Sequence, residues 1–358
     1  MNILQICPVA FRTREGGFAE HIWNISVRLA KNHSVTLYGS NPGGRYPKFE
    51  IVEGVKVYRF KHFSPANAFY FSLELPLNLR KSKFDVVHAH GYQTFPMHIS
   101  RIAKYRKLVI SPHYHASSQS AVRSFLLNLF KPIGQRTLLA ANNIICVSDY
   151  EQSLICNRFS LGNGNICVIP NGVDFNEYAH LERKPNEFRS ILYVGRLEKY
   201  KGVQHLIEVL PRLADNVVLD IVGKGPFQGS LEKLAKQEEV LERVNFFQNI
   251  PRDKLLQMFV DADVFVLLSK YEAYSIAVAE ALCAGTPCVL ANVTALSEWI
   301  DNRRCLGVDF PIRLDMLAAA IENLMGKRLK PSDIVDLVGT KILDWNSVVT
   351  RLENIYVK

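Results

Sequence analysis

Short apolar runs rich in β-branched residues alternate with amphipathic stretches along this chain, and that alternation constrains the fold more than any other feature. Asn2–Ile6, Ser34–Tyr38, Asp85–His88, Leu108–Ser111 and Asn143–Val147 read as strands, and a helical pattern over Phe18–Lys31 puts Ile22, Ile25, Leu29 and Ala30 on one face. A second series runs through Ser190–Val194, Val217–Val222, Asn245–Phe247, Val264–Leu268 and Pro287–Leu290. Helical segments lie between them at Gly202–Leu213, Gly229–Gln237, Arg252–Val260, Ser275–Ala284 and Asp315–Met325. Near-continuous apolar strands separated by helices imply parallel sheets covered on both faces, and crossover handedness leaves little topological freedom. The expected fold is α/β, with two doubly wound parallel-sheet domains, 1–170 and 171–340, joined near Ile169-Pro170-Asn171-Gly172 and sharing a cleft. Ligands of open α/β sheets bind beyond the carboxyl ends of the strands, so chemistry is sought in the loops that follow them.

A chain of 358 residues suits two domains that each bury a core. No run approaches the roughly 20 apolar residues that span a bilayer, and Met1–Phe11 lacks the positive region of a signal peptide, reading instead as a buried first strand. Seven scattered cysteines without a C-x-x-C pair fit a reducing cytosol and argue against disulfides and structural zinc. The net charge of +9 is unevenly divided: residues 1–170 carry 20 Lys/Arg against 8 Asp/Glu, and the remainder 23 against 26. A basic first half suits an anionic partner, whether nucleic acid, membrane surface or phosphorylated substrate. Neither a recognition-helix motif nor an RNA-stacking signature is present, so nucleic acid is not expected.

The loop after the first strand of the second series reads Gly195-Arg196-Leu197-Glu198-Lys199-Tyr200-Lys201-Gly202. Arg196 and Lys201 flank the start of a helix, and two cations beside the positive end of a helix dipole suit a diphosphate. Surface cations beside an ordinary loop would look the same. The run Gly223-Lys224-Gly225-Pro226-Phe227-Gln228-Gly229 follows a strand, but its spacing is one residue longer than a dinucleotide fingerprint and Pro follows the second glycine. A tight strand-to-helix turn explains it better than NAD binding.

The strongest constellation spans Ser269–Pro287, with Ser275 as N-cap and Gly285 and Pro287 as the helix stop. Glu272 precedes that helix and Glu280 lies just over one turn inside it. Backbone amides at the helix start are available to phosphate oxygens. Glu280 is the lone acid of an apolar helix, and a charge seldom sits there without a partner. Ribose hydroxyls would provide one; a satisfied structural carboxylate is the alternative. Asp261-Ala262-Asp263 stands where a helix ends and a strand begins, which explains it better than a metal.

Together these residues resemble the retaining nucleotide-sugar glycosyltransferases of family 4, whose GT-B fold has two facing Rossmann-like domains. The resemblance rests on Glu272 through Glu280 as E-x7-E, Gly195-Arg196 with Lys201-Gly202, Ile169–Asp174, Gly16-Gly17, Val86–His90 and Val222–Pro226. It implies that Arg196 and Lys201, with the helix start at Ser275 and Ile276, bind the donor diphosphate. By the same resemblance Glu280 contacts the ribose and Glu272 orients donor-sugar hydroxyls. Gly16 and Gly17 would let the backbone approach the diphosphate where a side chain would block it. Ser111-Pro112-His113 matches the segment whose His touches the donor sugar near the anomeric centre, with His115 its neighbour; His88 and His90 divide between loop packing and acceptor contact. No metal ligand or cofactor is implied beyond the nucleotide-sugar co-substrate, and a helix within 341–358 packs back on the N-terminal domain. The chain departs from the family at Ala273 and Ser275, where Glu-Gly-Phe-Gly is usual, and at Gln248, where Gly is common; loss of both loop glycines restricts the backbone.

The implied activity is transfer of a hexosyl-type sugar from a UDP- or GDP-sugar to a hydroxyl of a lipid-linked or cell-envelope glycan. Two cations stabilising the departing diphosphate make a divalent metal unnecessary. The donor motifs lie in the second half, so the acceptor is expected on the basic first half. Ser124–Arg136, with Arg101, Lys104, Arg106, Lys107 and Arg123 nearby in sequence, mixes apolar residues and cations as a surface resting on anionic lipid would; a core-facing helix with a basic rim fits equally. A cytoplasmic protein with peripheral contact at the inner face of the membrane follows. The alternatives are an epimerase or a transferase to a soluble sugar phosphate on the same architecture, an NAD-linked oxidoreductase, or a non-catalytic sugar-nucleotide-binding protein.

Overall fold

The structure, a computed structural model, describes residues 1–8, 16–64, 70–115, 130–185 and 187–358. The chain divides into two compact units: Met1–Gly172 together with Trp345–Lys358, and Val173–Asp344. All seven cysteines are free thiols, and no described helix is long and apolar enough to cross a membrane.

The first unit is built on one sheet: β1 (Asn2–Ile6), β2 (Ser34–Ser40), β3 (Phe49–Val52), β4 (Val55–Phe60), β5 (Lys83–His90), β6 (Lys104–Ser111), β7 (Asn143–Cys146) and β8 (Ile166–Val168). Their order is β3-β4-β2-β1-β5-β6-β7-β8, and only the β3–β4 pairing is antiparallel. Parallel neighbours require a crossover between them. Helix Gly17–Leu29 supplies the first, burying Ala19, Ile22, Ile25 and Leu29. Central strands β1 and β5 are apolar on both faces, with Ile3, Leu4, Ile6, Val86, Val87 and Ala89 all buried. The edge hairpin β3–β4 turns at Glu53-Gly54, both at positive φ (48° and 81°), the two-residue geometry whose twist suits a hairpin. The expected strands omit this hairpin, although period-two alternation over Phe49–Phe60 spells it. Helix Trp345–Val357 lies against Gly17–Leu29 and buries Trp345, Val348, Val349, Leu352 and Tyr356.

The second unit has six parallel strands: β9 (Arg189–Val194), β10 (Val217–Val222), β11 (Val244–Phe247), β12 (Val264–Leu267), β13 (Cys288–Ala291) and β14 (Cys305–Val308). Their order is β11-β10-β9-β12-β13-β14. Helices Val203–Val209, Gln228–Gln237, Arg252–Asp261 and Ile276–Cys283 make the first four connections and the 3-10 segment Thr294–Trp299 the fifth, while helix Leu314–Leu324 follows β14. The first is shorter than expected: it gives way after Val209 to a 3-10 turn, Leu210–Arg212, where Pro211 lacks the N–H that a continuing helix needs. Strand order reverses between β9 and β12, so the loops leaving these strands flank the crevice where open α/β sheets bind ligands.

Candidate active site

In the second unit the β9 and β12 loops meet. Lys201, on the first, places Nζ 2.5 Å from Glu272 Oε1 on the second, and both side chains are largely buried. The Lys270 N–H donates to the Tyr200 carbonyl at 2.8 Å and ties the loops together. Burial pulls the Lys201 pKa down, but Glu272 and Tyr200 together outweigh it and the net direction is up. Lys201 therefore stays an ammonium in a poorly hydrated place. Arg196 is the looser cation: it is exposed, pairs with Glu198 at 2.8 Å, and lies close enough to Lys201 to repel its charge.

Backbone packing explains the glycines around these cations. A Cβ on Gly223 would stand 1.8 Å from the Gly195 carbonyl oxygen, and φ there is +153°. Leu197 and Lys224 share a backbone hydrogen bond of 3.0 Å. Gly223 and Gly225 thus let the β10 loop pack on the β9 loop, as a tight turn requires.

The β12 loop ends at Ser275, whose φ is +86° and whose Oγ accepts the Val278 N–H at 3.4 Å at the start of helix Ile276–Cys283. Ser275 thus takes a left-handed backbone at the position where the resemblance expects glycine, and a side chain there carries local strain. Tyr274 is buried; its hydroxyl donates to the Lys341 carbonyl at 2.7 Å, and Trp299 Nε1–H donates to its carbonyl at 3.0 Å. One turn on, Glu280 is buried with Oε1 2.5 Å from Arg252, which also holds Glu177 at 2.7 Å. Burial pulls the Arg252 pKa down, but Glu280, Glu177 and Tyr178 together outweigh it and the net direction is up.

In the first unit a group of histidines gathers at the carboxyl ends of β5 and β6. His88 contacts Tyr356 OH at 2.7 Å through Nδ1 and Ser111 Oγ at 2.8 Å through Nε2. His90 Nε2 lies 2.7 Å from Gln5 Oε1. His113 follows β6 at φ +47°, with its ring 4.9 Å from Phe18 and 5.2 Å from His21, both on the helix that begins at Gly17. Burial drives His21 down to about 4 against the opposing pull of Asn171, and His88 down to about 3 with help from His21. These rings are neutral at physiological pH.

The comparisons with known proteins fall on both units. The model described as Glycosyltransferase Family 4 matches residues 15–177, and the one described as Glycosyl transferases group 1 matches residues 174–336. The chain belongs to glycosyltransferase family 4. It is 27% identical to the glycogen synthase of Mycobacterium tuberculosis over 96% of this chain and 91% of that one. It is 28% identical to the phosphatidylinositol N-acetylglucosaminyltransferase chain of Arabidopsis thaliana over 95% of this chain and 78% of that one. Anabaena HepE, solved in complex with UDP-glucose, shares the fold with a TM-score of 0.78 at 15% identity, covering 99% of each chain. The architecture is that of GT-B enzymes, and the oxidoreductase and epimerase readings are set aside.

Within this glycosyltransferase, Lys201 and Glu272 are in direct contact, Arg196 is within electrostatic reach, and Ser275 and Ile276 open the adjoining helix. Glu272 and Glu280, expected to face ligand hydroxyls, each already hold a cation. Gly16 shows that its glycine is conformational: φ is +86° and nothing stands within 4 Å of a Cβ there. Gly17 is the first helical residue. His88 and His90 are fully buried and hydrogen-bonded, the packing side of the expectation. His115 is half-buried two residues beyond His113. Residues 124–129 of the basic apolar segment lie outside the described residues, whereas Lys131–Leu139 is helical. Sequence reasoning missed Arg252 as the partner of Glu280. The signal was its place in the first turn of a helix, where the dipole disfavours a cation unless carboxylates hold it.

Proposed function

We propose that this glycosyltransferase moves a hexosyl-type sugar, with retention of configuration, from a UDP- or GDP-sugar to a hydroxyl of a lipid-linked or cell-envelope glycan. The observation that carries the donor half is the Lys201–Glu272 pair beside the Ser275-capped helix, with Arg196 in reach. A charged, poorly hydrated ammonium, an exposed guanidinium and helix amides supply stabilisation where negative charge builds on a leaving diphosphate. Glu280 is the ribose contact, Glu272 orients the sugar, and His113 touches it near the anomeric centre. Gly16 and Gly17 bring backbone to the diphosphate. The cations carry the leaving-group charge, so transfer proceeds in EDTA.

Two features support a lipid-linked acceptor. Leu73 and Leu77 are exposed at 92% and 58%, and lie at helical spacing with exposed Arg80 and Lys81. An apolar stripe ending in cations suits an anionic membrane surface at its cytoplasmic face. The Arabidopsis relative is named for a phosphatidylinositol acceptor. Likeness to glycogen synthase favours a soluble glucan as the second reading.

Thermal-shift measurements with UDP, GDP, ADP and NAD test the donor: UDP or GDP should stabilise, and stabilisation by NAD alone would overturn the reading. Glu280→Ala should weaken nucleotide binding about tenfold or more, the loss of one charge-assisted contact, whereas Glu272→Ala should mainly lower kcat. Unchanged turnover in both removes the assignment. Sedimentation with anionic liposomes at low and high salt tests the acceptor surface, and salt-insensitive absence of binding would favour the glucan.

A further inference from the structure

The geometry points to a three-histidine site for a divalent first-row transition ion, built from His21, His90 and His113. Their donor nitrogens lie within 4.8 Å of one another. His21 Nδ1, His90 Nδ1 and His113 Nε2 are each shielded from solvent and lack any hydrogen-bond partner. A buried polar atom is ordinarily satisfied, so three rings that each offer a donor to one place and each carry a nitrogen without a close partner suit a common occupant. The rings come from three separate elements: His21 from helix Gly17–Leu29, His90 from the end of β5 and His113 from the turn after β6. Ring centroids are 5.2, 5.8 and 6.1 Å apart. Tetrahedral bonds of about 2.0–2.1 Å would bring the nitrogens to about 3.4 Å from one another, a movement of roughly an ångström from where they stand.

The surroundings fit a ligated imidazole. His90 Nε2 lies 2.7 Å from Gln5 Oε1, a carbonyl that accepts only N–H, so the lone pair of His90 is on Nδ1, toward the other two rings. A ring N–H held by a carbonyl is the outer-shell support that ligating histidines use. Asn171 lies beside His21, and its side chain opposes the effect of burial on that ring. Three imidazoles with a fourth position open select Zn2+ or a neighbouring ion over Mg2+ or Ca2+, which require oxygen cages. A bound ion occupies His113 Nε2 and so inhibits transfer. That consequence rests on the proposed contact between His113 and the donor sugar; the binding site does not.

The test is titration of the full chain with Zn2+ against a chromophoric chelator, and with Co2+ followed by visible absorption. One ion per chain should bind, with the visible bands of tetrahedral Co2+ bleached by Zn2+ and no thiolate charge-transfer band. His21→Phe and His90→Phe should each weaken binding by more than about tenfold, while His62→Gln should leave it unchanged. A thiolate band, which would place the ion on a cysteine, overturns the site, as does unaltered affinity in the His21 and His90 variants. The wild-type spectrum carries the test if a variant misfolds. Undiminished transfer with the ion bound would overturn the His113 contact alone.

Discussion

Glu151 is fully buried, and its two carboxylate oxygens accept backbone N–H groups from two loops, Tyr114 at 2.5 Å and Val147 at 2.7 Å. It thereby fixes the turn that carries His113. Burial pushes its pKa from 4.5 up to about 7, and the two hydrogen bonds only partly oppose that rise. A folded-state pKa above the unfolded value means a contribution fully present below about pH 4.5 and lost as pH climbs through about 7. Glu151→Gln removes the titration. Urea unfolding should therefore show the stability advantage of wild type over the variant shrinking by about 2–3 kcal/mol between pH 5 and pH 8; parallel pH profiles would refute it. The residue was half-legible. Ser148-x-x-Glu151 spells a capping box, and Ser148 Oγ does accept the Glu151 N–H at 3.1 Å. The glutamate does not return to Ser148, however, because burial directs it to amides that are distant in sequence, which local pattern cannot reveal. Arg252 and Glu280 differ in this respect: each breaks a local rule, and the two violations answer each other.

Loop against loop, the second unit depends on atoms that are missing from its glycines. Gly223→Ala would drive a methyl into the Gly195 carbonyl, and at least about 1–3 kcal/mol of backbone strain is expected. The displaced β9 loop carries Arg196, so UDP affinity should fall as well. Gly229→Ala, in helix Gln228–Gln237 with nothing within 4 Å, should instead be neutral or stabilise by up to about 1 kcal/mol. Urea midpoints of the two variants moving together would contradict this account. Elements with strong patterns were the readable ones: β1 and β10 begin and end where the apolar runs do. Three-residue β8 and β14, with its Gly307, offer too little pattern to stand out. Helix Asp149–Phe159 is hard to see in the sequence because its face is mixed, with only Glu151, Ile155 and Phe159 buried.

For the molecule as a whole, the chain leaves the first unit at Gly172 and re-enters it at Trp345. These two points touch, for a Cβ on Gly172 would lie 2.4 Å from the indole. The Arg28 guanidinium sits 6.0 Å over the same ring, and His21 is 5.8 Å away. Trp345→Ala should cost the first unit about 3–5 kcal/mol. The unfolding transition should fall by several degrees by circular dichroism, and an unshifted midpoint would show that the re-entry helix is dispensable. The doubly wound architecture was legible from strand periodicity alone, whereas the return of the last helix was legible only through the family resemblance, since its amphipathic face names no partner. Its Tyr356 hydroxyl reaches His88 and its Trp345 faces His21, so a segment synthesised after the intervening unit completes the support of residues made before it. On the ribosome, the histidine cluster must stay unfinished until the intervening unit has emerged, and a truncated nascent chain would display polar groups in place of a sealed fold for quality control to recognise.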